Sequence, residues 1–219
     1  MNDETAQELL PEARRIAAPF PDDADVLAAL AEAEYDAGND SEAIAAADRA
    51  LAIDPATKHA LVQKGYALFR KAVDESDRTA AYEAAMKPFL ALNKLETDHP
   101  LPLIYFHRSL AEQGIPLTES ARHALERAAE LAPFDQSLKF NAALMQAEEG
   151  KVQIARQTLA PVAFDPHGSS LARQAGRLMA ALEDAPEGTP FDAYGFLART
   201  ATVEELTGED PGAAVPGEI

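Results

Sequence analysis

The feature that most constrains this chain is a proline that returns at nearly regular intervals. Pro21, Pro55, Pro100, Pro133 and Pro166 each follow a stretch rich in Ala and Leu, and the gaps between them are 34, 45, 33 and 33 residues. A period of this length indicates tandem helical hairpins, because one hairpin cannot bury its apolar face alone and must stack on its neighbours. The sequence therefore predicts one elongated helical array, an architecture that typically presents a surface to a partner.

The composition of the chain favours helix throughout. Hydrophobic residues make up 47% of the 219 residues, led by Ala and Leu, and Trp is absent. Ala and Leu have high helix propensity, and runs of β-branched residues that would build a sheet are few. We therefore predict an all-α fold.

The net charge of −18, from 37 acidic and 19 basic residues, is strongly negative. Such a surface repels phosphate backbones and anionic membranes, so neither nucleic acid nor membrane insertion is expected. Residues 183–219 hold nine acidic residues against Arg199 alone, a charge of −8. The predicted domains are a helical repeat domain over 1–182 and an acidic, Pro/Gly-containing tail over 183–219, with a short amphipathic segment near 190–207.

The sequence shows no export or membrane signal. It contains no cysteine, which excludes disulfides and Cys-based zinc sites. No apolar stretch approaches the roughly 20 residues that a membrane span requires. The first residues, Met1-Asn2-Asp3-Glu4, are acidic where a signal peptide is basic and then apolar. We expect a soluble protein of the cytoplasm or periplasm, and its oligomeric state stays open.

No motif for catalysis or metal binding is found. The five histidines, at positions 59, 99, 107, 123 and 167, lack metal-binding spacing. Gly150-Lys151 lacks the Ser or Thr of a phosphate-binding loop. We therefore expect no catalytic residue, metal or cofactor, and we do not expect an enzyme.

The unit that ends at Pro55 shows the pattern of one repeat. Its apolar and small positions have the spacing of two packed helices: Leu27, Leu30, Ala31, Ala43 and Ala50. Gly38-Asn39-Asp40 lies between these helices. This unit resembles the tetratricopeptide repeat (TPR), a 34-residue helix pair with small residues at the helix contacts and a closing proline. The resemblance covers about residues 22–166 and implies a bacterial protein with a right-handed α-solenoid of about four hairpins.

The second unit is longer than the family's repeat. Its extra residues are predicted to form a polar loop at Asp74-Glu75-Ser76-Asp77, followed by a helix from about Arg78 to Leu95. Pro88 inside that helix should kink or break it. After the last unit, Ser170 to Leu182 is amphipathic and should cap the array.

The N-terminal segment has no partner helix in the repeat pattern. Residues 3–18 place Leu9, Ala13, Ile16 and Ala17 on one stripe and have the character of an orphan second helix. The hypothesis that follows is that the chain is the C-terminal repeat region of a longer protein. Residues 159–167 also resemble the closing segment of repeat regions in some alphaproteobacterial proteins, occasionally attached to a peptidase-like domain. The alternative to an interaction module is therefore a regulatory or substrate-positioning arm of a larger enzyme.

In TPR proteins the first helices of the hairpins line a groove that binds peptides or helices. Carried onto this sequence, the resemblance implies the following groove residues: Tyr35, His59, Gln63, Tyr66, Phe69, Arg70, Leu103, Phe106, His107, Leu110, Lys139 and Phe140. Aromatic and apolar side chains with a few polar groups suit an amphipathic helix or an extended peptide. The open alternative is that four of these aromatics, Tyr66, Phe69, Phe106 and Phe140, are core residues.

One subtype of the family captures the C-terminal carboxylate of a chaperone with Lys, Asn and Arg. This chain has Ala28, Glu32 and Gln63 at the matching positions. Chaperone-tail binding is therefore not expected.

The tail carries its own apolar cluster. Phe191, Tyr194 and Leu197 have helical spacing, and Thr189 is the predicted N-cap. This segment is expected to pack on the capping helix. The alternatives are that it fills the groove of this chain or of another copy, or that it binds a partner.

Overall fold

A computed structural model of the chain describes residues 3–166 and 168–201. These residues form eleven helices and no strand, which confirms the all-α prediction. The helices are α1 (Asp3–Ala17), α2 (Ala24–Asp36), α3 (Asp40–Ile53), α4 (Lys58–Ala72), α5 (Arg78–Leu95), α6 (Pro100–Ala111), α7 (Glu119–Leu131), α8 (Gln136–Glu148), α9 (Val152–Ala163), α10 (Ser170–Ala181) and α11 (Ala193–Thr200).

The described residues fall into two compact units with a boundary between Leu131 and Ala132. Unit 1 contains α1 to α7, and unit 2 contains α8 to α11. The predicted division into a repeat domain and a tail at residue 182 stays a prediction. The predicted tail helix begins inside the described residues as α11, and its part after residue 201 lies outside them.

Unit 1 is built of the hairpins α2/α3, α4/α5 and α6/α7, each packed on the next, as in an α-solenoid. Small side chains make the close approach of these helices possible. Ala28, Ala31, Ala47 and Ala50 are all fully buried, and they belong to one cluster shared by α2, α3 and α4. The helices can therefore pack backbone to backbone, as the repeat pattern predicted.

The apolar stripe predicted for α1 is wrong at Leu9 and Ile16, although its Ala17 is buried as predicted. Leu9 and Ile16 are 53% and 55% exposed, whereas Ala6, Leu10 and Ala17 are buried. The buried three lie on one side of the helix, because helical residues four and eleven positions apart share a face. A polar contact accounts for this rotation of α1.

That contact joins α1 to α2. Arg14 donates from Nε and Nη2 to the two carboxylate oxygens of Glu34, at 2.7 and 2.8 Å. The Nδ2 of Asn39 donates to the same carboxylate at 3.0 Å. Glu34 is only 4% exposed, so the need to pair this buried charge directs the Arg14 face of α1 toward α2.

The predicted helix from Arg78 to Leu95 is confirmed as α5, and it continues through Pro88 without a break. Asp77 caps its first turn by accepting the N–H of Ala80 at 3.1 Å. A proline leaves one backbone bond of the helix unmade, and Pro88 is buried in the packed face of α5. Tertiary packing therefore holds the helix together where local sequence predicted a kink or break.

In unit 2, α9 packs against both α8 and α10, and α11 also packs against both α8 and α10. Phe191 and Leu197 of the tail segment pack on the core of unit 2, as expected, whereas Tyr194 is 57% exposed, which contradicts the expectation for that side chain.

The predicted N-cap of the tail segment, Thr189, is wrong. Asp192 caps α11 by accepting the N–H of Gly195 at 2.8 Å, whereas the N–H of Thr189 donates to the carbonyl of Pro186 in a turn before the helix.

Candidate functional site

Unit 1 contains a cluster of aromatic rings contributed by α2, α4, α5 and α6. Its members are Tyr35, Tyr66, Phe69, Tyr82, Phe89 and Tyr105. Three of them, which we call the tyrosine row, stand on the first helices of the three hairpins: Tyr35, Tyr66 and Tyr105. The row therefore follows the stacking of the repeats.

The rings of the cluster are in direct contact. The centroid of Tyr66 lies 5.7 Å from that of Tyr35 and 5.4 Å from that of Tyr105. Phe89 stacks on Tyr105 at 4.3 Å with an interplanar angle of 18°, and Phe69 meets Tyr105 edge-on at 4.7 Å. These separations are those of favourable aromatic pairs. The tyrosine row is thus held in place by a base of packed aromatic rings, which are those of Phe69, Tyr82 and Phe89.

Burial separates the base of the cluster from its surface. Phe69, Tyr82 and Phe89 are 4%, 1% and 0% exposed. The tyrosine row is only half-buried. Its side chains are fixed by the base and still accessible to a ligand.

A glycine makes room for the base. A Cβ at Gly65 would lie 2.6 to 2.9 Å from three ring carbons of Phe89. Because such a separation is far below van der Waals contact, only glycine permits this approach of α4 to Phe89 on α5. The contact between α4 and α5 therefore requires the smallest residue at this position.

Arg70 fixes one end of the row. Its guanidinium carbon lies 3.9 Å from the centroid of the Tyr35 ring, a cation–π contact. Its Nη2 donates to the backbone carbonyl of Tyr35 at 2.7 Å, and its Nε donates to the carboxylate of Asp40 at 2.8 and 3.0 Å. The charge of Arg70 is therefore held in place by α2 and by the start of α3.

Arg108 stands at the other end. Its guanidinium carbon lies 5.1 Å from the ring centroids of both Phe69 and Tyr105. It donates to Glu112 Oε1 at 3.3 Å and to the Tyr105 hydroxyl at 3.4 Å, and 45% of its side chain is exposed. These longer bonds leave the cation accessible beside the row.

The row and the two arginines enclose a pocket of about 220 Å³, which we call the tyrosine pocket. It is lined by Tyr35, Tyr66, Phe69, Arg70, Val73, Tyr105, Arg108 and Glu112. This volume is below that of a typical site for a drug-sized molecule and suits one or two side chains of a larger ligand.

Burial raises the pKa of two phenols of the pocket, those of Tyr66 and Tyr105. Burial, followed by the neighbouring Tyr105 and Tyr35, raises the pKa of Tyr66 to about 12. Burial also raises the pKa of Tyr105. At neutral pH these hydroxyl groups are therefore protonated and able to donate hydrogen bonds.

The structure brings four of the sequence-predicted groove residues together in the tyrosine pocket: Tyr35, Tyr66, Phe69 and Arg70. Phe69 contributes its buried ring to the base. Two further predicted residues form a separate polar contact near the start of α4. His59 Nε2 lies 3.2 Å from Gln63 Nε2 and 3.1 Å from Glu32 Oε2, and Gln63 is buried.

On α6, the residues that line the tyrosine pocket are not the ones predicted for the groove. The residues predicted there are half-buried and do not line the tyrosine pocket: Leu103, Phe106, His107 and Leu110. Burial lowers the pKa of His107. Tyr105 and Arg108 provide the pocket contacts of α6 instead. The signal that could have found them is their spacing of three residues, which nearly repeats the four-residue spacing of Tyr66 and Arg70 on α4.

The last two predicted groove residues lie in unit 2. Lys139 is half-buried on α8, and Phe140 is 6% exposed and belongs to the apolar core of that unit. The alternative that the aromatics are core residues therefore describes Phe69 and Phe140 well, while Tyr66 and Phe106 keep part of their surface accessible.

A second groove of unit 1 was not predicted. It has a volume of about 350 Å³ and is lined by Leu51, Leu61, Lys64, Leu68, Ala84, Lys87, Pro88 and Ala91 on α3, α4 and α5. Lys64 is paired with Asp48 at 2.5 Å. No aromatic side chain lines this groove, which is the second candidate surface of unit 1 for a ligand.

Residues 3–166 and 168–201 contain no group of three or more His, Asp or Glu side chains placed to hold a metal ion. In the same part of the chain, no helix combines the length and apolar character needed to cross a membrane.

Comparison with known proteins gives a likeness of fold. No protein-family model matches the chain, and no curated protein matches it significantly. Among solved structures, the chain is similar to YrrB, described as a TPR protein with an unusual peptide-binding site. The TM-score is 0.58 at 20% sequence identity, over 85% of this chain and 89% of that one. The chain therefore has a TPR-like fold, built from the helix hairpins that its proline spacing predicted.

Proposed function

We propose that this chain is a protein-interaction module that binds a peptide or helix of a partner in the tyrosine pocket of unit 1, and that it acts by binding and not by catalysis. The observation that carries this proposal is the tyrosine row, which stands half-buried on three successive first helices with an arginine at each end. The alternative of an arm of a larger enzyme stays a prediction from the sequence.

The chemistry of the pocket supports a peptide ligand. Tyr and Arg are the residues most often found as energetic anchors of interfaces, because they combine large contact area with hydrogen bonding. Here the rings are already packed on a rigid base, so little side-chain freedom is lost when a ligand binds. The neutral phenols can donate to peptide carbonyls, and the pocket can take an apolar or aromatic side chain.

Selection from a random peptide library displayed on phage tests the proposal. We expect enriched peptides that bind the wild-type chain and whose affinity falls about tenfold or more in Arg108→Ala, in line with loss of an interface anchor. Leu90→Ala is the matched control, because Leu90 is a 54% exposed apolar side chain of unit 1 outside the tyrosine pocket.

The control should bind the selected peptides as the wild type does, and both variants should keep the wild-type melting temperature. A library that yields no enriched sequence would contradict the proposal. Peptides that bind wild type and Arg108→Ala, Tyr66→Ala and Tyr35→Ala equally would also contradict it.

A further inference from the structure

Residues 186–200, which we call the resident segment, follow α10 and lie along the first helices of unit 2. The N–H of Gly188 donates to the carbonyl of Gly150 at 2.8 Å, and the N–H of Phe191 donates to the carbonyl of Ala147 at 2.9 Å. These carbonyls belong to the C-terminal end of α8 and the turn after it. The segment is thus bound through its backbone, in the way that a peptide ligand is bound.

Carboxylates link the segment to the helices at two helix starts. Glu148 on α8 accepts the N–H groups of Ala193 and Tyr194 at 2.8 and 3.3 Å, which satisfies donors in the first turn of α11. Glu187 of the segment accepts the N–H of Gln153 in the first turn of α9 at 2.9 Å. Acidic groups at helix N-termini are favourable, so the two contacts hold the segment in one register.

The apolar side chains of the segment pack on the core of unit 2. They are Phe191, Ala193, Phe196 and Leu197, of which Ala193 is fully buried. The core on which they pack includes Phe140 and Ala143 of α8. Phe140 is one of the groove residues that the TPR resemblance implies, so the segment packs on a part of unit 2 where a partner is expected.

Gly150 adapts the surface to the segment. It has a φ of +77°, and a Cβ there would lie 2.8 to 2.9 Å from backbone atoms of Gly188 and Thr189. The backbone of the segment can approach the turn this closely because Gly150 carries no side chain.

We propose that the resident segment is an intramolecular ligand that occupies the groove surface of α8 and α10, and that a partner helix binds unit 2 by displacing it. The proposal goes beyond the peptide site of unit 1, because it concerns a different surface. The partner helix has the chemistry of the segment: aromatic and small apolar side chains on one face, with an acidic residue at its N-cap. Displacement is feasible because α11 has only eight residues, a length at which an isolated helix is not stable.

The test uses a fluorescent synthetic peptide with the sequence of residues 186–201 and a chain that ends at Ala185. We expect the peptide to bind the shortened chain at least tenfold more tightly than it binds the full chain, where the tethered segment competes at high effective concentration. A peptide with Ala193→Asp should bind at least tenfold more weakly, because it would place a charge at a fully buried position.

Each outcome supports or overturns the proposal. The full chain with Ala193→Asp is the second variant, since it should release the segment without shortening the chain, and it should bind the wild-type peptide like the shortened chain. A folded variant that does not bind the peptide, or equal binding by the full and shortened chains, would overturn the proposal. Loss of the folded state of unit 2 in both variants would overturn it too, because a segment that the fold requires is not a displaceable ligand.

Discussion

At the scale of single residues, buried polar groups decide contacts that an apolar pattern does not reveal. Glu34 is an example, since in the sequence it is one of several acidic residues of α2 and has nothing to mark it as buried. The structure places it at 4% exposure between α1 and α2, with Arg14 and Asn39 as hydrogen-bond donors. The contact with Arg14 of α1, and not the local sequence of α2, therefore explains why Glu34 is buried.

Replacing Glu34 should therefore weaken unit 1. Glu34→Ala removes the acceptor of three charge-assisted hydrogen bonds, two of them from the Arg14 guanidinium, and we expect a loss of about 1.5–3 kcal/mol in unfolding free energy. Urea denaturation measures this loss. Glu12→Ala is the matched control, because Glu12 also pairs with an arginine but is 54% exposed, and it should leave the urea midpoint almost unchanged. Equal effects of the two substitutions would show that the buried pair has no special role.

The burial of Tyr66 predicts a titration that can be observed directly. Its pKa is raised from the ordinary value of 10 to about 12. The unfolded chain therefore loses this proton first as the pH rises, so the stability due to neutral Tyr66 is present below pH 10 and is lost as the pH rises toward 12.

Phenolate absorbance during alkaline titration checks this expectation. Tyr66→Phe should remove a titration step near pH 12. If the substitution removes absorbance at the ordinary value instead, Tyr66 is not buried against its tyrosine neighbours.

At the scale of helices, the sequence predicted the elements well and their faces less well. The proline period and the Ala and Leu pattern placed the hairpins, and the α5 prediction from Arg78 to Leu95 agrees with the structure. The rotation of α1 and the pocket face of α6 did not follow from apolar spacing, because both depend on contacts with other helices. Tyr105 contributes to the pocket since Phe89, on α5, stacks on it.

Close helix packing at Gly65 gives a prediction for α4 and α5. Gly65→Ala adds a methyl group where the fully buried Phe89 ring lies 2.6 to 2.9 Å away, and the ring can move little among Tyr66 and Tyr105. Overpacking typically costs about 1–3 kcal/mol, and the better helix propensity of alanine offsets up to about 1 kcal/mol of it. We expect a net loss of about 1–2 kcal/mol in unfolding free energy.

Gly176→Ala is the matched control for this measurement. Gly176 is also inside a helix, and a Cβ there would meet no atom within 4 Å. The control should therefore gain about 0.5–1 kcal/mol from helix propensity. Similar gains for both substitutions in chemical denaturation would contradict the packing described for Phe89.

At the scale of the whole molecule, the chain has a TPR-like fold, and its two units differ in the surface that they offer to a ligand. Unit 1 has an accessible tyrosine pocket, whereas in unit 2 the chain's own residues 186–200 pack against α8 and α10. The repeat pattern predicted a single row of groove residues from Tyr35 to Phe140. It did not predict this difference, because the covering segment comes from outside the repeats and its docking depends on Glu148 and the turn at Gly150.

The central claim, that the tyrosine pocket is the ligand site of unit 1, is tested most directly by amide chemical-shift mapping. The isotope-labelled chain is titrated with a peptide selected from the random library. We predict shifts centred on the amides around Tyr35, Tyr66 and Tyr105, and loss of these shifts in Arg108→Ala. Shifts centred instead on the groove of Leu61, Lys64 and Lys87, with the amides of the tyrosine row unchanged, would contradict the account.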